Sequence, residues 1–166
     1  MSVSIYDTEV VSAEDYDESM SGIDILDSRR FFSEGPNGRF ELRTFITRVK
    51  HDPRQELFNV GFGVWDQERQ NVNDKATTRN ADMHRILSTI ATIALDFLRR
   101  NPFAYLYAEG STAARTRLYQ LEISKILDEM PDDLQLYGLI REDGIGFVKF
   151  CRGINFDGFL LSLSSR

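Results

Sequence analysis

Apolar and polar positions alternate with a period of two along residues 57–66. Phe58, Val60, Phe62 and Val64 fall on one side, and Asn59, Gly61, Gly63 and Trp65 on the other. This alternation predicts a half-buried strand. The two glycines on the second side mark a stretch where another group can approach the backbone closely. Upstream, "RRFFSEGPNGRFELRTFITRV" predicts two strands around a tight turn at Gly35-Pro36-Asn37-Gly38, residues that supply the dihedrals such a turn needs. The chain therefore opens with three antiparallel strands. The polar stretch "QERQNVNDKATTRN" then predicts a mobile surface loop, and its Lys75, Thr77, Thr78 and Arg79 specify no chemistry.

After that loop the period lengthens to that of a helix. Met83, Ile86, Leu87, Ile90, Ala91, Ile93, Ala94, Phe97 and Leu98 gather on one broad arc, with Arg85, Ser88, Thr92, Asp96 and Arg99 on the other. Asn80 is the expected N-cap, Arg99 and Arg100 suit the last turn, and Pro102 follows the stop. "FAYLYAEG" predicts a short buried strand, and "STAARTRLYQLEISKILDEM" a second helix. "DLQLYGLIREDGIGFVKFCRG" predicts a hairpin turning at Asp143-Gly144, and "FDGFLLSLSS" a last strand or docked tail. The expected fold is α+β: an antiparallel-dominated sheet in the order β-β-β-α-β-α-β-β, with two helices packed mainly on one face.

The second helix is less simple than the first. Ala114, Leu118 and Leu121 form one apolar stripe, and Tyr119, Ile123, Ile126 and Leu127 another, with Arg115 and Glu122 between them. Two stripes on one helix imply packing on the sheet and on a partner, so a homodimer is expected.

Charge divides the chain in two. The 166 residues carry a net charge of −6, but residues 1–28 hold eight acidic side chains and no Lys or Arg, which leaves +2 for residues 29–166. We expect an acidic N-terminal arm, 1–28, ahead of a single α+β domain, 29–166. The arm is expected as a solvated tail, with a protein partner as the functional alternative, anchored by Ile5, Val10, Val11, Ile23, Ile25 and Leu26. A near-neutral body disfavours double-stranded DNA, whose binding depends on many phosphate neutralisations. The single cysteine, Cys151, forbids an intrachain disulfide. With no long apolar run and no leader pattern, the expectation is a cytoplasmic protein without membrane contact.

The stretch with most chemical content is "YAEGSTAARTRLY", residues 107–119. A helix beginning at Ser111 or Thr112 directs free N–H groups past its start, and with Arg115 and Arg117 these could hold a phosphate or carboxylate. Gly110, Ser111, Thr112, Arg115 and Arg117 are thus the anion-binding candidates. The structural alternative makes Ser111 or Thr112 a cap and Gly110 a turn residue, with the arginines paired to the chain's own acids, Glu109 and Glu122. We favour that alternative for the turn, because a P-loop needs a longer glycine loop and a lysine, and above all for Arg115, which lies between the apolar stripes, with Arg117 left as the freer of the two.

Catalytic signals are thin. His51 and His84 have no partner at ligand spacing, so no metal is expected. Cys151 suggests a small buried thiol, and Ser111 lies outside any G-x-S-x-G pattern. No cofactor and no catalytic residue is expected.

From Phe31 to Tyr119, "FFSEGPNG", "FNVGFG", an Asn-x-Asp before the long helix and "EGSTAARTRLY" together resemble a bacterial family of unknown function. That family is frequent in Bacteroidetes and carries a Gly-Ser-Thr-x-Ala-Arg-x-Arg-Leu-Tyr segment. Residues 1–28 fall outside the resemblance, and the C-terminal third matches weakly. It implies one shared architecture and transfers no chemistry. The expected function is that of a non-catalytic binding or interaction protein, which the resemblance associates with a small bacterial regulatory or defence-related module. The alternative is a phosphoanion, nucleotide or RNA binder, or an enzyme, at the Gly110–Thr112 turn.

Overall fold

The computed structural model describes residues 4–16, 23–73 and 80–164. The strands are β1 (Glu9–Val10), β2 (Ile25–Gly35), β3 (Gly38–Arg48), β4 (Leu57–Asp66), β5 (Asn71–Asn73), β6 (Tyr105–Ala108), β7 (Leu134–Ile140), β8 (Gly146–Lys149) and β9 (Gly158–Leu163). The helices are α1 (Met83–Arg100) and α2 (Ala113–Ile126). Among the described residues the strands form one nine-stranded sheet in the order β1-β2-β3-β4-β6-β9-β7-β8, with β5 on β4. Every pairing is antiparallel except β4 with β6. The expected α+β class with two helices is what the chain adopts. No described helix is long and apolar enough to cross a membrane.

The first hairpin turns where the sequence places it, with Gly35 opposite Gly38. Gly38 takes φ +110, a conformation open to glycine. A Cβ on Gly35 would lie 2.7 Å from the side chain of Asn80. Asn80 does not cap α1. It is buried against the hairpin, donating to Ser33 Oγ (3.1 Å) and the Gly38 carbonyl (3.0 Å) and accepting from the Asn37 N–H (2.9 Å). Ala81 takes φ +57, which breaks the helical path, so α1 starts only after Asp82.

α1 covers the β2–β4 half of the sheet. Its Ile86, Ile93, Phe97 and Leu98 are almost wholly buried and meet Phe31, Ile46, Phe58 and Leu106 in the main core. Ser88, assigned by the pattern to the outer arc, is buried too, and its hydroxyl has no hydrogen-bond partner among the described residues. It lies one turn after His84, whose Nδ1 sits 3.1 Å from Glu122 on α2, so this stripe of α1 meets the second helix. α2 packs Tyr119 and Ile123, and the 3₁₀ turn after it Leu127, on a smaller core built from Leu136, Phe150, Phe156 and Phe159.

Several local expectations change. The polar stretch after β4 contains the short strand β5, while Lys75, Thr77, Thr78 and Arg79 lie outside the described residues. The second hairpin does not turn on two residues, because Glu142–Gly144 form a 3₁₀ turn with Asp143 at φ +55. The C-terminal segment is a strand, and β9 inserts between β6 and β7. Cys151 is exposed.

Part of the acidic arm is docked. Tyr6 is buried and stacks on Phe31 with ring centroids 5.8 Å apart. Its N–H donates to Thr89 Oγ1 (2.9 Å), its hydroxyl donates to Asp82 (2.6 Å), and Arg85 lies over its ring. Val11 is buried as expected of an anchor, whereas Ile5, Val10, Ile23 and Leu26 are exposed. Further on, Tyr16 packs against Phe45 and Trp65 on the sheet face away from the helices.

Candidate functional site

β6 delivers the chain from the middle of the sheet to the start of α2. Thr112, in extended conformation, caps the helix by accepting the Arg115 N–H (3.2 Å). Thr116 Oγ1 accepts the Gly110 N–H (3.0 Å) and donates to the Thr112 carbonyl (3.1 Å). The turn is therefore closed on itself. Only glycine fits at 110, because a Cβ there would sit 2.6 Å from the Thr116 nitrogen.

The acids and bases near the turn have definite partners. Glu109 is held by Arg141 (Nη2 to Oε1, 3.0 Å) and by the Tyr107 hydroxyl (3.2 Å). Burial pushes the Tyr107 phenol up to about 12, the Glu109 charge adds to that, and Arg141 opposes it. The Arg141 guanidinium is itself raised, first by its bond to Glu109 and then by Tyr107. Glu122 is buried, with Lys125 Nζ at 3.1 Å and the His84 ring on its other oxygen. Arg117 donates to the Phe156 carbonyl. Gln120 donates to the Ile154 carbonyl and accepts the Phe156 N–H (2.9 Å), so α2 pins the segment before β9. Arg115 is half-buried.

Beside this turn the sheet forks. β4 and β6 pair from Leu57 with Tyr105 only as far as Asn59 with Tyr107, and β5 takes up the edge of β4 only from Val64. The gap between opens into a cavity of about 520 Å³ under the helices. Phe62 and Leu161 border it from the sheet, Leu87 and Ala91 from α1, and Tyr119 and Ile123 from α2. Phe62, Leu87, Ala91, Tyr119 and Ile123 lie between layers yet are only partly buried, as expected where a wall faces empty space. Its origin is steric: the strands diverge, and Ala91, Ala94 and Ala108 present methyl groups where larger side chains would fill the gap. Volume and lining match those of small-molecule sites, which are mostly apolar with a few polar groups.

Glu109, Gly110 and Ser111 line this cavity. Thr112, Arg115 and Arg117 do not appear among its described walls. Sequence reasoning reached one rim of the site and missed its body. The glycines of β4 were the only local signal, and Gly61 does line the cavity. The rest depends on the parallel contact of β4 with β6, which has no period to announce it.

No curated protein and no solved structure matches the chain. Residues 16–164 do match a family model described as a family of unknown function, DUF6934, a span that takes in the C-terminal third and the second half of the arm. The chain belongs to that family.

Proposed function

We propose that this chain is a non-catalytic binding protein whose ligand occupies the cavity at the fork between β4 and β6. The observation that carries this is the cavity itself: about 520 Å³, walled by apolar side chains of both layers, with the Glu109–Ser111 turn at its rim. An unfilled space of this size forgoes packing contacts, and a ligand restores them. We include in this proposal a homodimer in the bacterial cytosol, supported by the apolar sheet face that carries Tyr105 and Phe147.

The test uses full-length protein and a neutral apolar fluorophore, N-phenyl-1-naphthylamine. Saturable binding at one site per chain is expected, and Ala91→Trp, which fills the space from α1, should abolish it. Absence of binding, or binding indifferent to Ala91→Trp in a folded variant, overturns the proposal. The second reading is an external phosphate at Gly110–Thr112 with Arg115 and Arg117, favoured by the position of Ser111, exposed at the start of α2. Phosphate-dependent stabilisation that disappears with Arg115→Gln would establish it.

A further inference from the structure

We infer, resting on the cavity reading above, that the ligand is an uncharged hydrocarbon body ending in a hydrogen-bond donor, a hydroxyl or protonated amine, rather than in a carboxylate or phosphate. Three observations lead there.

The first is the wall. Among the described lining residues Glu109 is the single side chain that carries a charge at neutral pH, and it stands at the rim. A charge carried into the interior would leave water and find no partner, a cost of several kcal/mol on any scale. Whatever enters deeply is therefore neutral.

The second is the state of the backbone donors. An anionic head at this turn would draw on the Gly110 N–H and on the N–H groups of the first turn of α2, three of which are already engaged. The Gly110 N–H, which belongs to a lining residue, is spent on Thr116 Oγ1. The Arg115 N–H is spent on Thr112 Oγ1, and the Thr116 N–H on the Thr112 carbonyl. Gly110 packs closely on Thr116, which fixes the direction of its own N–H.

The third is the carboxylate. Glu109 Oε1 already accepts from Tyr107 and Arg141, but Oε2 has only a long 3.5 Å contact with Arg141 Nη1. A carboxylate offers about four acceptor positions, so Oε2 retains capacity. Arg141 is not itself a lining residue. A head that only accepts finds no donor on the Glu109 carboxylate, whereas a hydroxyl or ammonium finds an acceptor there. Ser111, beside Glu109 on the rim, can donate or accept and so does not discriminate.

The test is a competition series on the intact chain. Bound N-phenyl-1-naphthylamine is displaced with dodecanol, dodecylamine, dodecanoate or dodecyl phosphate, each below its aggregation concentration. Dodecanol and dodecylamine should displace the reporter at least about tenfold more effectively than the two anions, a ratio worth about 1.4 kcal/mol. Glu109→Gln should bring dodecanoate up towards dodecanol. Equal or better displacement by dodecanoate in the wild type overturns this inference while leaving the cavity reading intact. A reporter that does not bind at all removes both. Should Glu109→Gln fail to fold, the wild-type ratio alone decides.

Discussion

Tyr107 shows how much of this site depends on single side chains. Its ring lies across Gly158, where a Cβ would come within 2.0 Å of the phenol oxygen, and meets Phe147 edge-on at 6.1 Å. Its hydroxyl donates to Glu109. Burial and the neighbouring carboxylate hold the phenol neutral up to about 12, whereas an unfolded tyrosine ionises near about 10. Between those values the folded chain binds one proton more than the unfolded chain. Stability from this group is therefore complete below pH about 10 and is lost as pH rises towards about 12. A phenolate titration followed in the ultraviolet should show a late-ionising tyrosine that Tyr107→Phe removes; an unchanged curve would show that the ring is not so placed. None of this was legible in the sequence, where Tyr107 is one apolar position in a short strand. Asn80 carries the same lesson. Its neighbours made it a helix cap by local grammar, but the hairpin of β2 and β3, forty residues earlier, offers it three hydrogen bonds that a cap would not.

At the scale of elements, legibility followed periodicity. α1 has a broad apolar arc that no other structure would bury, and its core face was read correctly through Leu98. β4 was equally plain. The arm was harder, because eight acidic residues conceal one aromatic anchor. Tyr6 combines a ring stacked on Phe31, a backbone bond to Thr89 and a hydroxyl bond to Asp82, which also accepts from Ser33. Losing it removes packing and leaves Asp82 with one donor fewer. We expect Tyr6→Ala to cost about 3 kcal/mol in urea unfolding, and Tyr6→Phe to cost about 1–2 kcal/mol through the lost hydrogen bond. A solvated arm predicts less than about 0.5 kcal/mol for either change. A measurement in that range would return residues 1–28 to the status of a tail outside the domain.

For the whole molecule, the two faces of the sheet are treated differently along its width. Helices cover one face throughout. On the other, Tyr16 packs over Phe45 and Trp65, but no described element lies over the β6-β9-β7-β8 half. An antiparallel sheet left open to water usually turns polar side chains outward. Here Tyr105 and Phe147 are nearly half exposed, and Leu160, Tyr137 and Leu139 lie partly exposed between them. A homodimer was expected because α2 carries two apolar stripes, yet in the one that does not pack on the smaller core, Ala114, Leu118 and Leu121, the one broadly exposed large residue is Leu121, and a lone surface leucine needs no partner. The sheet face is the better interface. Glu109 and Arg141 at its border neutralise one another, so two copies can approach without like-charge repulsion, and sheets pack readily face to face. Light scattering should therefore report twice the monomer mass, with Phe147→Glu monomeric and Leu121→Glu still dimeric. Loss of the dimer in Leu121→Glu alone would move the interface to α2. A wild-type chain that stays monomeric at every concentration would eliminate the dimer, and Phe147 would then be an aromatic ring left in water against Tyr107.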